Sequence, residues 1–121
     1  MTRQTKGQVE AQISQALVGF EREYMGRGPA DAKTHLIRDM AVVRLKGILT
    51  PAEQQLIKGE GVELIKQVRT KLLESGRQRL EKSVQDIAGL PVISMHSDLS
   101  TKTGERIIIF VFSENVEAKF A

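Results

Sequence analysis

The segment Ser94-Met95-His96-Ser97-Asp98-Leu99-Ser100-Thr101 gathers a histidine, a carboxylate and several hydroxyls within eight residues. In an extended chain Ser94, His96, Asp98 and Ser100 point to one face. An imidazole near a carboxylate and hydroxyls is the raw material of nucleophilic or acid–base catalysis. The spacing works against a triad. Same-face neighbours on a strand stand ~7 Å apart, whereas proton transfer needs hydrogen-bond reach. The plain reading is a polar sheet face, with His96 hydrogen-bonded or at an interface. A pH-sensitive contact is a further use of such a histidine. His35 and Asp39 lie four residues apart. With His96 and Asp98 they would form a two-His, two-carboxylate metal set if their hairpins were adjacent. The chain has no Cys and only two His, which excludes a disulfide framework, a thiolate nucleophile and an all-His site. The sequence assigns no catalytic residue, no metal and no cofactor.

Two glycine-bearing turns carry cations. Gly26-Arg27-Gly28-Pro29, followed by Lys33, can offer backbone N–H groups and a guanidinium to an anion. It matches neither a phosphate-binding loop nor a dinucleotide fingerprint. Thr101-Lys102-Thr103-Gly104-Glu105-Arg106 sets Lys and Arg beside hydroxyls that suit phosphate, bicarbonate or a partner's carboxylate. A helix cap and a solvated hairpin tip account for the same residues structurally. The candidate recognition residues are therefore Arg27, Gly28, Lys33, His96, Asp98, Lys102, Thr103 and Arg106. Arg69, Lys71, Arg77, Arg79 and Lys82 interleave with Glu74, Glu81 and Asp86 farther along, as on a charged solvent face. The net charge is only +3, with +2 in residues 1–60 and +1 in residues 61–121. Such a spread excess, with only five Phe and Tyr for stacking, argues against nucleic acid as partner.

Elements must hold these residues in place. From Gln8 to Met25, Val9, Ile13, Ala16, Leu17, Phe20 and Tyr24 recur at spacings of three and four, the stripe of an amphipathic helix. It should stop at Gly26 to Pro29. Thr34 to Arg38 and Met40 to Gly47 read as strands turning near Arg38-Asp39. Thr50-Pro51-Ala52-Glu53 carries the capping-box pattern with Pro at the first helical position, and a short helix follows to about Lys58. From Val62 to Ala88, Ile65, Val68, Leu72, Gly76, Leu80, Val84 and Ile87 trace a helical face. A straight helix there would be roughly 40 Å long. It must kink near Ser75-Gly76 or pack its excess on a second copy.

Val92 to Ser100 and Arg106 to Ser113 read as a second hairpin. Ile107 to Phe112 is apolar on both faces, as in a central strand covered on both sides. One cover is the helices, and the expected second cover is another subunit, which points to a homodimer. The chain thus reads as one domain over residues 1–121. It is an α+β fold in the order α-β-β-α-α-β-β, with a four-stranded, mainly antiparallel sheet and helices on one side. Ile87 to Ser97 is the longest run without Asp, Glu, Lys or Arg, at eleven residues, against ~20 for a spanning helix. The first residues, from Met1 to Lys6, do not open a secretory signal core. The expected location is the cytoplasm.

Five stretches in this order resemble the MpsC family: Glu23 to Pro29, Val43 to Gly47, Leu49 to Glu53, His96 to Asp98, and Ser100 to Arg106. The resemblance covers about Lys6 to Val111. The family comprises small bacterial proteins named as the C component of a Na+-translocating, membrane-potential-generating system, discussed also in connection with inorganic-carbon uptake. It has no assigned catalytic residues to carry over. A chain without a spanning segment cannot itself conduct an ion through hydrocarbon. The resemblance therefore implies an accessory protein, docked on an integral-membrane partner at the inner face of the membrane. A small enzyme using His96 and Asp98, and a nucleic-acid-binding domain reading through the long helix, are the competing functions.

Overall fold

The computed structural model describes residues 4–121; the expectation for Met1 to Arg3 lies outside them. Helix α1 spans Lys6–Met25, capped by Thr5 and Gln8, whose side chains each accept the other's backbone N–H. Strands β1 (Asp31–Ile37) and β2 (Met40–Lys46) form a hairpin with Arg38 at φ 55° in its two-residue turn. Helices α2 (Pro51–Lys58), α3 (Val62–Ser75) and α4 (Arg77–Ala88) follow. Strands β3 (Val92–Ser100) and β4 (Glu105–Phe112) make the second hairpin, and a short α5 (Val116–Phe120) closes the chain. The expected α+β order holds. The long helix is divided at Gly76, and α5 is added.

The sheet is antiparallel throughout, in the order β1-β2-β4-β3. The doubly apolar strand β4 is thus central, as its composition requires. Alternation divides each strand. Leu36, Ala41, Val43, Leu45, Ile108, Phe110 and Phe112 are buried beneath the helices. Val9, Ile13, Leu17 and Phe20 of α1, with Leu80, Val84 and Ala88 of α4, close that core. Among the described residues no helix is long and apolar enough to cross a membrane.

The division at Gly76 has a steric cause. A Cβ there would stand 2.5 Å from Phe20 Cε2 and 2.8 Å from Tyr24 Cζ, two rings stacked at 4.4 Å. The backbone comes so close to α1 only because position 76 has no side chain. The break re-phases the buried face. The expected Ile65-Val68-Leu72 track is corrected to Ile65-Arg69-Leu73, and Val68 is 44% exposed. Arg69, read from the sequence as part of a solvent face, is buried.

Candidate functional site

Six element termini meet at one end of the sheet: the end of α1, the start of β1, the end of β2, the start of α2, the end of β3 and the start of β4. Four of the five stretches that resemble the MpsC family lie at this end. Beneath them sits a charge cluster closed to solvent. Glu21 is 1% exposed, Arg69 2% and Arg106 2%. Arg69 grips Glu53 as a fork: its Nε donates to Oε2 at 2.8 Å and its Nη2 to Oε1 at 2.6 Å. The same Nη2 donates to the Ile48 carbonyl at 2.8 Å, and Nη1 reaches Glu21 Oε2 at 3.4 Å. Arg106 faces Glu21 Oε1 at 3.8 Å as an ion pair and donates from Nη1 to Ser97 Oγ at 3.1 Å. Two carboxylates and two guanidiniums balance, which is the condition for burying charge at all.

Glu53 has two roles here. Its carboxylate accepts the Thr50 backbone N–H at 2.9 Å, while Thr50 Oγ1 accepts that of Glu53 at 3.2 Å. The expected capping box is thus present, and the same carboxylate holds Arg69 through both of its oxygens. Partial burial would raise the Glu53 carboxyl, but the bonds from Arg69 and Thr50 outweigh it and hold it below the ordinary range. Glu21 goes the other way. Burial pushes its carboxyl up, against the pull of Arg106 and Arg69. Burial also lowers the Arg106 guanidinium, opposed by Glu21.

The surface above the cluster is loop. Arg27 is exposed and its Nη2 donates to the Gly47 carbonyl at 3.1 Å, tying the α1–β1 turn to the end of β2. Gly47 lies at φ 65°, and a Cβ there would meet the Ala30 Cβ at 2.6 Å. Only glycine meets both conditions. The Ile48 N–H donates to the Gly104 carbonyl at 3.2 Å, joining the β3–β4 loop to the same point. Lys102 and Thr103 are exposed and line a shallow pocket of about 300 Å3 with Gly47, Leu49, Gln54 and Ile57. Beside it the α2–α3 pair exposes apolar side chains: Leu56 at 49%, Leu64 at 53% and Val68 at 44%. Leu64 and Val68 are four apart, on one helix face.

The structure therefore separates the residues singled out in the sequence. Arg27, Gly28, Lys102 and Thr103 come together at the motif end. Arg106 lies beneath them, unable to meet a partner as an exposed contact. Lys33, His96 and Asp98 stand on the open sheet face instead of lining the same loops. His96 Nε2 lies 3.1 Å from Ser94 Oγ, and Asp98 accepts the Leu99 N–H at 2.8 Å with Lys66 at 3.7 Å. His35 and His96 occupy opposite edge strands, three strand spacings or roughly 14 Å apart. That separates the two halves of the four-residue metal set. Among the described residues no group of three or more His, Asp or Glu side chains is placed to hold a metal ion.

Sequence reasoning missed Glu21 and misplaced Arg69. Both carried a signal. Glu21 continues the Val9-Ile13-Leu17 series at intervals of four, and Arg69 sits midway between Ile65 and Leu73. A charge on an apolar track, matched by an opposite charge on another track, marks a buried pair.

Residues 5–114 match the family described as Na+-translocating membrane potential-generating system (MpsC). The chain is 43% identical over 116 residues to the uncharacterized protein YbcI of Bacillus subtilis (strain 168), covering 95% of this chain and 94% of that one. It is 26% identical over 100 residues to the uncharacterized protein YrhF of the same strain, covering 81% and 82%. No solved structure matches significantly.

Proposed function

The chain belongs to the MpsC family, and from that premise we propose that it is a non-enzymatic accessory protein of a bacterial membrane cation-translocation or inorganic-carbon uptake system. It acts in the cytoplasm as a homodimer and sits at the inner membrane face by docking on an integral-membrane partner. The observation that carries this reading is the convergence of separate motif segments on one end of the fold. Arg27 and Lys102 stand exposed there, over a rigid charge cluster. Recognition residues concentrate on loops held by such a scaffold. Leu56, Leu64 and Val68 add an apolar neighbour suited to a protein partner rather than to a free anion.

The test is co-purification from native cells in mild detergent. A stoichiometric integral-membrane protein is expected with the unaltered chain. Arg27→Glu with Lys102→Glu should release it while the thermal midpoint stays within a few degrees. Recovery of no membrane protein would refute the reading.

A further inference from the structure

The helices pack on one face of the sheet, and the opposite face stands open. Its side chains form rows across β1, β2, β4 and β3. Two rows at the centre and far end are apolar in the middle: Val42 beside Ile109, and Met40 beside Val111, all half-buried. The two rows nearest the motif end are charged: Lys33, Arg44 and Asp98 in one, Asp31, Lys46 and Glu105 in the next, with Arg44 ion-paired to Glu105 and Lys66 to Asp98 within the chain. Strands β1 and β2 carry Lys33, Arg44 and Lys46 against Asp31, a net basic side. Asp98 on β3 and Glu105 on β4 lie to the other. Lys33 and Asp98 share a row through Arg44 and Ile107. Lys46 and Glu105 come next along their strands after the paired Leu45 and Arg106.

We propose that a second copy of this chain covers the open face, related by a two-fold axis running parallel to the strands. Strand β1 then lies over the second copy's β3, and β2 over its β4. Each row faces the same row of the other copy with left and right exchanged. Lys33 meets Asp98 of the second copy, Lys46 meets its Glu105, Val42 meets its Ile109 and Met40 meets its Val111, while His35 meets its His96 and Arg44, still paired with Glu105 of its own chain, lies over its Ile107. Every contact occurs twice, as an isologous interface requires. The other aligned two-fold, with its axis across the strands, reverses the row order. It would set Lys33 and Asp98 against the His35–Val42–Ile109–His96 row, which offers neither of them an opposite charge. The pattern thus selects one arrangement, of the aligned sheet-on-sheet kind.

The sheet edges support a face contact over sheet extension. On β1 the Leu36 N–H is taken by Glu10 Oε2 at 2.8 Å. On β3 the Met95 carbonyl is taken by Arg77 Nη2 at 2.9 Å. Each edge thus has a backbone group already taken, which weakens it as a template for another strand. The inference rests on the homodimer in the proposed function and deepens it by fixing face, axis and charge pairs. It also makes both motif ends point the same way, so one dimer would present two copies of the candidate site to one partner surface.

The test uses the full chain and sedimentation analysis at tens of micromolar. The unaltered protein should sediment at twice the 13.5 kDa chain mass. Lys33→Asp alone and Asp98→Lys alone each set like charges against each other twice. Each should weaken the dimer about tenfold or more. Both positions are exposed on the isolated chain, so circular dichroism should stay unchanged. An equimolar mixture of the two variants should form a heterodimer, because each chain then carries what the other lacks. The double variant should dimerise on its own again. A dimer indifferent to both single changes would overturn this geometry while leaving the homodimer intact. A monomeric unaltered chain, including one that binds vesicles or another protein through this face, would overturn both.

Discussion

Replacing Arg69 with Met removes the hub of the buried cluster while keeping its volume and helix propensity. Arg69 and Glu21 have side chains only 3% and 2% exposed, so solvent cannot take over the lost contacts. The Glu53 fork, the bond to the Ile48 carbonyl and the contact to Glu21 all go at once. Breaking a buried pair from one side costs about 3–5 kcal/mol, because the remaining charge stays buried without its partner. At roughly 4 °C per kcal/mol for a chain of this size, the thermal midpoint should fall by about 12–20 °C. The assay is urea unfolding followed by circular dichroism, paired with a thermal scan. Arg69→Lys keeps the charge but loses the fork, and should fall between the parent and Arg69→Met. The double variant Arg69→Met, Glu21→Gln should cost less than the sum of the single changes, since without Arg69 the Glu21 charge keeps only Arg106 as partner and its removal costs less. A loss below about 1 kcal/mol for Arg69→Met, or strict additivity in the cycle, would refute the account of a coupled buried cluster.

Three further outcomes follow from the structure. Thr50→Ala should cost about 1 kcal/mol, read from the urea midpoint, because the Glu53 N–H loses its acceptor. Gly76→Ala should cost about 1–3 kcal/mol despite better helix propensity, since its methyl meets the Phe20 and Tyr24 rings; a gain in thermal midpoint would contradict the packing account. For Glu53 the folded carboxyl is held below its unfolded value of 4.5, so its stabilisation is fully present above pH 4.5 and is lost as pH falls through the folded value. The gap in stability between the parent and Glu53→Gln, measured by urea midpoints at pH 7 and pH 3, should therefore narrow at the lower pH.

The elements were legible wherever a local rule fixed them. The stripe from Val9 to Phe20 gave α1, and Thr50 to Glu53 gave the start of α2. The composition of Ile107 to Phe112 placed β4 inside the sheet. Strand order was not legible, because nothing local says that β4 pairs with β2 rather than β1. The phase of α3 was misread for a different reason. Val68 and Leu72 looked like the inner face because they are apolar, and Arg69 looked like the outer face because it is charged. Burial is decided by partners on other elements, and Glu21 and Glu53 supply them from α1 and α2. The candidate site suffered similarly. Arg106 stands at the end of a loop rich in polar residues, yet it begins the alternation Arg106-Ile108-Phe110-Phe112 that points into the core.

This changes which motif residues are open to a function. Glu53, Gly47 and Arg106 lie in stretches that resemble the family, but each is occupied: Glu53 in a cap and a fork, Gly47 in a close approach to Ala30, Arg106 in an ion pair. Their chemistry is spent inside the molecule. They fix the positions of three loops relative to one another at the motif end. What the loops then offer outward is Arg27 and Lys102, with Thr103 beside them and the apolar side chains of α2 and α3 alongside. The Arg27 bond to the Gly47 carbonyl leaves the rest of its guanidinium fork at the surface. A rigid end that presents two cations next to exposed Leu and Val suits an acidic, partly apolar protein surface better than a small anion. A free anion would need converging donors in an enclosed cavity, and the Lys102 pocket is shallow. The buried cluster and the exposed loops are thus one construction, in which charge paired inside sets the geometry of charge left unpaired outside.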